Sequence, residues 1–273
     1  MRAFGLDKIA FMPYKITVHA EVVELVDTPV SGTGGHYARG GSSPPFGMFF
    51  LTAARRTHPA HENHYQRAAI VKKGNVAVFL SGRGSNFTAI VRASRSAGAN
   101  FAVRLVVSDR ADAVGLKKAA RLGIPACHVD PAAFPDKAAY EKAVCALLEQ
   151  EQIDLVCLAG YMRLVGPVLL ARYPGRILNI HPALLPSFPG LDAQHQALRH
   201  GVKVSGCTVH FVDAGTDSGP IVAQCPVPVR PGDDEETLSR RILRQEHRLY
   251  PRAISLFFGG RLQIDGRTVM VRE

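Results

Sequence analysis

The sequence predicts an α/β fold of the doubly wound type, with a mostly parallel sheet and helices on both faces. Three observations lead to this fold class. Short apolar runs alternate with helical patterns from residue 75 onward, which is typical of repeated βαβ units. The runs are apolar throughout, as in strands covered on both faces. A Gly-rich turn joins the first run to the first helix, which indicates a Rossmann-type N-terminal half.

The elements follow one another along the chain. The expected strands are the apolar runs 76–80, 102–107, a short one before residue 130, 155–158, 177–180, 206–212 and 221–228. The expected helices, which carry the helical pattern, are 87–97, 113–122, 137–150, 167–172, 193–200 and 235–258. We expect residues 74–273 to form one catalytic domain.

Residues 1–73 mix short apolar fragments with Pro, Gly and Ser, and they show no period long enough to build a core. We expect a leader outside the fold that is disordered or that results from a start assigned too far upstream. Codons can be chosen for residues 20–47 that make this stretch the in-frame reading of a transfer RNA gene. A genuine flexible extension is the alternative.

The overall composition favours a globular protein without membrane segments. The chain has 273 residues, 47% of them apolar and 21% charged, and no apolar run approaches the roughly 18 residues of a membrane helix. Its five cysteines are odd in number and widely spaced, which is neither a disulfide framework nor a zinc site. We therefore expect a cytoplasmic location and no metal.

The net charge of +10 suggests acidic partners. Nine basic and five acidic residues lie in residues 1–73, so residues 74–273 carry +6. This excess is compatible with a phosphorylated substrate. It is weak evidence for nucleic acid, because no aromatic platform or basic stripe accompanies it.

The Gly-rich turn, residues 81–86, follows a strand and opens a helix. The backbone N–H groups of Gly84, Ser85 and Asn86 can therefore surround an anion such as a phosphate. Phe87 and Thr88 stand where a dinucleotide fingerprint would need glycine. A tight turn with a capping residue is the alternative interpretation.

Asn179 and His181 lie on one face at the carboxyl end of a strand, where open α/β sheets bind ligands. An amide beside a protonated imidazole can stabilise an oxyanion. Asp217, on a late loop, would raise the pKa of His181 and keep the imidazole cationic. The alternatives are a buried structural histidine, a turn aspartate, and Asp213 as the competing carboxylate.

Five segments resemble, in order and spacing, the folate-dependent phosphoribosylglycinamide formyltransferases: VAVFLSGRGSNFTAI, LAGYMRLV, ILNIHPALLPSFPGL, GCTVHFVDAGTDSGPIVAQ and QEHRLYP. The resemblance covers about 200 residues and none of the leader. It implies transfer of the formyl group of 10-formyltetrahydrofolate to the amine of glycinamide ribonucleotide, in the biosynthesis of purines. It implies no metal, no nucleic acid and no membrane partner, and a monomer or a homodimer.

The resemblance also assigns roles to residues. Gly84, Ser85 and Asn86 would bind the phosphate of the ribonucleotide and Glu246 its sugar. Asn179, His181 and Asp217 match the catalytic trio. The residues expected to contact the folate are Lys137, Met162, Arg163, Leu164, Val165, Asn179 and Val212. Spacing alone does not distinguish a role in the cleft from a solvated or ion-paired role for Lys137, Arg163 and Glu246.

The sequence differs from the usual family pattern at two places, and other functions remain as alternatives. Asp192 and Gln194 stand where many members carry histidines, and Lys137 replaces an arginine, which loses a planar fork for a carboxylate. Formyltetrahydrofolate deformylase and methionyl-tRNA formyltransferase share the trio. A noncatalytic nucleotide-binding protein would use Asp109 for a ribose. It would leave the trio unexplained.

Overall fold

The structure is a computed structural model that describes residues 9–11 and 73–272. Ten strands form one sheet. They are β1 (Ile9–Phe11), β2 (Gly74–Leu80), β3 (Phe101–Ser108), β4 (Ala126–Val129), β5 (Leu155–Leu158), β6 (Ile177–His181), β7 (Val204–Phe211), β8 (Ile221–Pro228), β9 (Leu262–Asp265) and β10 (Thr268–Val271). The helices are α1 (Ser85–Ser94), α2 (Val114–Arg121), α3 (Lys137–Gln150), α4 (Pro167–Arg172), α5 (Ala193–Arg199) and α6 (Glu235–Phe258).

The sheet has the strand order β1-β4-β3-β2-β5-β6-β7-β8-β10-β9. Neighbouring strands from β4 to β6 are parallel, whereas β7 is antiparallel to β6 and to β8. The chain winds from β2 toward β4 and then restarts on the other side of β2 with β5. The switch point between β2 and β5 opens a crevice at the carboxyl ends of the strands, where such sheets bind ligands.

Alternating residues of β2 pack into two separate cores, one on each face of the sheet. Val76, Val78 and Leu80 join a cluster that includes buried residues of α1, α2 and α6. Ala77 and Phe79 join a second cluster with α3 and α4. The sheet is therefore covered by helices on both faces, as its apolar strands predict.

The expected bounds match the structure for α3, β5, α4, β8 and α6. The sequence analysis does not predict the hairpin of β9 and β10, although its two-residue turn, Gly266-Arg267, begins with glycine, which is a hairpin signal. The leader was expected to lie outside the fold. Its residues 9–11 nevertheless pair antiparallel with β4, because the exposed edge of a sheet accepts another strand.

The remaining leader residues, 1–8 and 12–72, lie outside the described residues, and so does the hypothesis about the start. In the described part of the chain, no helix is both long enough and apolar enough to cross a membrane.

Candidate active site

The loops that follow β2 and β5 are joined by Ser81 at the switch point. Its backbone N–H donates to the Gly160 carbonyl at 2.9 Å. Its hydroxyl accepts a hydrogen bond from the Met162 N–H at 2.9 Å and donates to Asp109 Oδ1 at 2.6 Å. Asp109, the ribose partner in the rival nucleotide-binding interpretation, therefore supports this junction. Sequence reasoning did not identify Ser81, since its partners lie 28 and 81 residues away.

The Gly-rich loop is held against α2. Gly84 has a φ of 65°, a conformation that favours glycine, and caps the start of α1. A Cβ at this position would lie 2.9 Å from the Cα of Gly115. The loop therefore presents the first N–H groups of α1, which have no partner within the helix, at the crevice. This geometry suits an anion.

Asn86 links the same loop to the last helix. Its Nδ2 donates to Glu246 Oε2 at 2.7 Å, across 160 residues of sequence. Both side chains are buried, and burial raises the pKa of Glu246 while the bond from Asn86 opposes that shift. Asn86 Oδ1 is buried and has no partner among the described residues. Two of the four ribonucleotide contacts predicted from the sequence, Asn86 and Glu246, therefore lie together.

The structure also brings together the three residues of the predicted trio. Asn179 Nδ2 donates to Asp217 Oδ1 at 3.2 Å, and His181 Nδ1 lies 3.3 Å from Asp217 Oδ2. Asn179 and His181 stand two residues apart on β6, so the period of the strand turns both to one face. Asp217 comes from the loop between β7 and β8 and has a φ of 51°.

His210 is a fourth member of this cluster and was not identified from the sequence. It lies opposite Asn179 in the register of β6 and β7. Its Nδ1 donates to the Phe211 carbonyl at 2.8 Å, and its Nε2 faces both Asn179 Nδ2 at 3.2 Å and Asp217 Oδ1 at 3.5 Å. The strand alternation of 206–212 was a signal for His210.

The titration of the cluster departs from the sequence expectation. Burial lowers the pKa of His181, although the Asp217 carboxylate and the Phe188 carbonyl act in the opposite direction. Asp217 therefore acts in the expected direction, but desolvation outweighs the ion pair, and the net shift of the His181 pKa is downward. Burial alone would raise the pKa of Asp217, but bonds from His210 and the Gly190 N–H, with the neighbouring imidazoles, lower it.

The loop after β6 closes over the trio. His181 Nε2 donates to the Phe188 carbonyl at 2.7 Å, and the Gly190 N–H donates to Asp217 Oδ2 at 2.8 Å. Phe188 has a φ of 56°, which is uncommon for a residue with a side chain. Because the Phe188 carbonyl already accepts from His181 Nε2, an oxygen atom of a ligand that binds there must displace it.

The loop after β5 carries the residues expected to contact folate. Glu141 on α3 is buried, and its carboxylate accepts from the N–H groups of Gly166, Val168 and Leu169. A Cβ on Gly166 would lie 2.7 Å from the Cε of Lys137. The start of α4 and the end of this loop are therefore fixed by α3.

Aromatic and cationic groups line the surface of this loop. The hydroxyls of Tyr140 and Tyr161 lie 2.7 Å apart, and the Arg163 guanidinium lies 5.6 Å from the centre of the Tyr140 ring. Met162 and Leu164 are 63% and 65% exposed, which makes them available to an apolar ligand.

The other residues expected to contact folate are more covered. Val165 and Val212 are half-buried against the second core. Lys137, Arg163, Leu164 and Val165 line one small cavity, of which Met162 and Val212 are not part.

Neighbouring loop residues have other partners. Asp213 Oδ1 accepts from the Gly215 N–H and the Ser218 hydroxyl, so this carboxylate shapes its own turn, whereas Asp217 faces His181. Asp192 precedes α5 with a φ of 56°. In residues 9–11 and 73–272, no group of three His, Cys, Asp or Glu side chains is arranged to hold a metal ion.

Comparison with known proteins gives the family. A sequence profile described as Formyl transferase matches residues 74–254. The phosphoribosylglycinamide formyltransferase of Bacillus subtilis is 45% identical over 183 residues, which is 67% of this chain and 94% of that protein. The trifunctional purine biosynthetic protein adenosine-3 of Drosophila pseudoobscura pseudoobscura is 43% identical over 200 residues. This alignment covers 72% of the chain and only 15% of the relative's length.

Solved structures agree with this assignment. Glycinamide ribonucleotide transformylase 1 from Symbiobacterium toebii matches at a TM-score of 0.73 and 55% identity, over 74% of this chain and 95% of that one. A formyltetrahydrofolate deformylase from Pseudomonas syringae matches at a TM-score of 0.68 and 29% identity, over 74% and 67%. The chain belongs to the formyl transferase family.

Proposed function

We propose that the chain transfers the formyl group of 10-formyltetrahydrofolate to the amine of glycinamide ribonucleotide, a step in purine biosynthesis. One observation carries this proposal: Asn179 and His181, at the carboxyl end of β6, each lie within 3.3 Å of the Asp217 carboxylate. The relatives named as phosphoribosylglycinamide formyltransferases support the choice of acceptor.

The ribonucleotide would bind with its phosphate at the N–H groups of Gly84, Ser85 and Asn86. Glu246 would accept hydrogen bonds from hydroxyls of the ribose, because its carboxylate is fixed by Asn86 near the same loop. The loop and α6 thereby hold the acceptor at both its phosphate and its sugar. Such positioning turns a reaction between two substrates into one within a single complex.

The folate would lie along the loop after β5. Met162, Leu164, Val165 and Val212 supply apolar contacts, and the cations Lys137 and Arg163 can pair with its carboxylates. These contacts would place the formyl group near Asn179, the folate contact that lies within the trio.

The amine of the ribonucleotide would attack the formyl carbon, and the formyl oxygen would become an oxyanion. Asn179 Nδ2 and His181 Nε2 would then donate to that oxygen in place of their present partners, Asp217 Oδ1 and the Phe188 carbonyl. Asp217 would hold the charged imidazole and relay a proton, through water, from the attacking amine to the departing folate nitrogen. Breakage of the bond between the formyl carbon and that nitrogen releases tetrahydrofolate.

The test uses the full chain with both substrates and measures formylated product and free formate separately. Asp217→Asn should lower kcat by about 10²–10⁴-fold. Asp213→Asn is the matched control, because an asparagine keeps the Oδ1 acceptor of that turn and Asp213 does not face His181. A decrease of more than about threefold in the control would show that any change in the loop is harmful, since the asparagine retains the hydrogen bond.

The products decide between family activities. If the wild-type chain forms free formate at the rate at which it consumes formyl-folate, it is a hydrolase and the proposal fails.

The proposal includes a cytoplasmic location, which the five free cysteines support. All three members of the trio come from one chain, so the site is compatible with a monomer or a homodimer.

A further inference from the structure

A groove lined by cations lies where α1 meets α6 and α2. Its volume is about 660 Å³, a size common among sites for small ligands. The basic groove, as we name it, is lined by Arg92 on α1, Lys118 on α2, and Arg244 and Arg248 on α6. The lining residues include no carboxylate. None of the four cations has a side-chain hydrogen bond or ion pair within residues 73–272.

The basic groove begins at the phosphate loop. Ser85, the first residue of α1, belongs to the lining, and so does Thr88 one turn later. Gly84 packs directly on Gly115 of α2, so the loop and the helix that carries Lys118 are in contact. An anion held by the loop would therefore lie at one end of the basic groove.

His247 supplies an unpartnered polar atom in the same groove. Its Nε2 is buried and has no hydrogen-bond partner in the described structure. Burial lowers the pKa of His247, and the nearby cations Arg92 and Lys118 lower it further. A buried polar atom of this kind normally has a partner, and an oxygen of a bound anion can provide one.

The charge of the groove exceeds what the proposed substrate needs. A single phosphate carries at most about two negative charges, and the loop with the amino end of α1 already suits it. Four further cations match additional phosphates. The lining residues include no aromatic side chain on which a base could stack, which argues against a single-stranded nucleic acid.

We propose that the basic groove binds the second and third phosphates of an oligophosphate whose first phosphate lies at the Gly84 to Asn86 loop. A nucleoside triphosphate carries such a chain, and so does inorganic triphosphate. Because the first phosphate would occupy the site proposed for the ribonucleotide, the ligand would compete with that substrate. Only this competition rests on the proposed function.

The test measures binding of inorganic triphosphate and orthophosphate to the full chain by calorimetry. The groove variant is Arg244→Gln with Arg248→Gln, neither of which contacts the trio. The control variant is Lys117→Gln with Arg252→Gln, which removes the same charge from α2 and α6 outside the groove. The groove variant should bind triphosphate at least about tenfold more weakly, which corresponds to about 1.4 kcal/mol. Its binding of orthophosphate should be unchanged.

Three results would overturn the proposal: no binding of triphosphate, equal binding by the wild type and the groove variant, or an equal loss in the control variant. ATP serves as the nucleoside arm and should inhibit formyl transfer in competition with the ribonucleotide; a noncompetitive pattern would contradict the shared first phosphate. If the chain lacks formyl transfer but the calorimetry gives the expected contrast, the proposed function falls and the groove assignment stands.

Discussion

Asn86 on the first helix donates a hydrogen bond of 2.7 Å to Glu246 on the last helix, and both side chains are buried. The bond links the phosphate loop to the carboxylate expected to hold the ribose. Among residues 73–272 it is the one hydrogen bond to the buried Glu246 carboxyl group. Burial therefore raises the pKa of Glu246 more than the amide lowers it.

Glu246→Gln should make the folded chain more stable at neutral pH and weaken its binding of the ribonucleotide. Because the pKa of Glu246 is raised in the folded chain, the folded state holds its proton longer than the unfolded state as pH rises. The contribution of Glu246 to the free energy of unfolding is therefore full below about pH 4.5, the ordinary pKa of this group, and falls as pH rises through the raised pKa of the folded chain.

The glutamine variant should not lose stability as pH rises through this range, and its KM for the ribonucleotide should be raised. Thermal unfolding between pH 4 and 8 measures the first effect, and steady-state kinetics the second. Identical pH curves for the variant and the wild type would contradict the assignment of the buried charge.

Gly84→Ala should weaken both the fold and the phosphate site. The φ of 65° is costly for alanine, and the new Cβ would lie 2.9 Å from Gly115. We expect a loss of at least about 1 kcal/mol in the free energy of unfolding and a raised KM for the ribonucleotide.

Gly82→Ala is the matched control, because its Cβ would meet nothing within 4 Å and its φ does not lie in the left-handed region. Denaturant unfolding compares the two variants. An equal loss in both would mean that the close approach of Gly84 to Gly115 is unimportant.

Asp217→Asn should lower the pKa of His181 further. The carboxylate is the largest influence that raises this pKa against the effect of burial. Without it, less imidazolium remains at neutral pH, so less of the enzyme carries the proposed oxyanion donor. An NMR titration of His181 measures this directly, with His181→Asn to assign the signal. An unchanged or raised pKa in the Asp217 variant would refute the ion pair.

Much of the fold could be predicted from the sequence because it depends on local patterns. The bounds of α3, β5, α4, β8 and α6 follow from apolar periods and turn residues. The sequence does not predict the short strands β1, β9 and β10, which lie near the two ends of the sheet. Those of the C-terminal hairpin are largely exposed and have no buried apolar run, so their pairing was the main evidence for them.

The candidate site divides in the same way. Asn179 and His181 could be predicted from strand alternation. His210 could be placed beside Asn179 only through the register of two antiparallel strands. The bond from His181 to Phe188 depends on how the following loop folds back, and the net direction of the His181 pKa depends on burial. Neither this hydrogen bond nor the direction of the pKa shift can be predicted from the spacing of residues in the sequence.

Glu141→Ala should loosen the proposed folate loop. The buried carboxylate accepts three backbone N–H groups at the end of that loop and the start of α4. Removing it leaves these donors without a partner and removes a negative charge from a helix N-terminus. We expect a loss of about 3 kcal/mol in stability and a raised KM for 10-formyltetrahydrofolate with an unchanged KM for the ribonucleotide.

Glu141→Gln is the informative companion variant, since it keeps one acceptor oxygen and the shape of the side chain. It should lie between the alanine variant and the wild type in both denaturant unfolding and the KM for folate. Equal increases of both KM values would instead indicate general loosening of the fold. Glu141 contacts the start of α4 and not the phosphate loop, so its loss should affect folate binding alone. Equal increases would therefore contradict a specific role of this loop in folate binding.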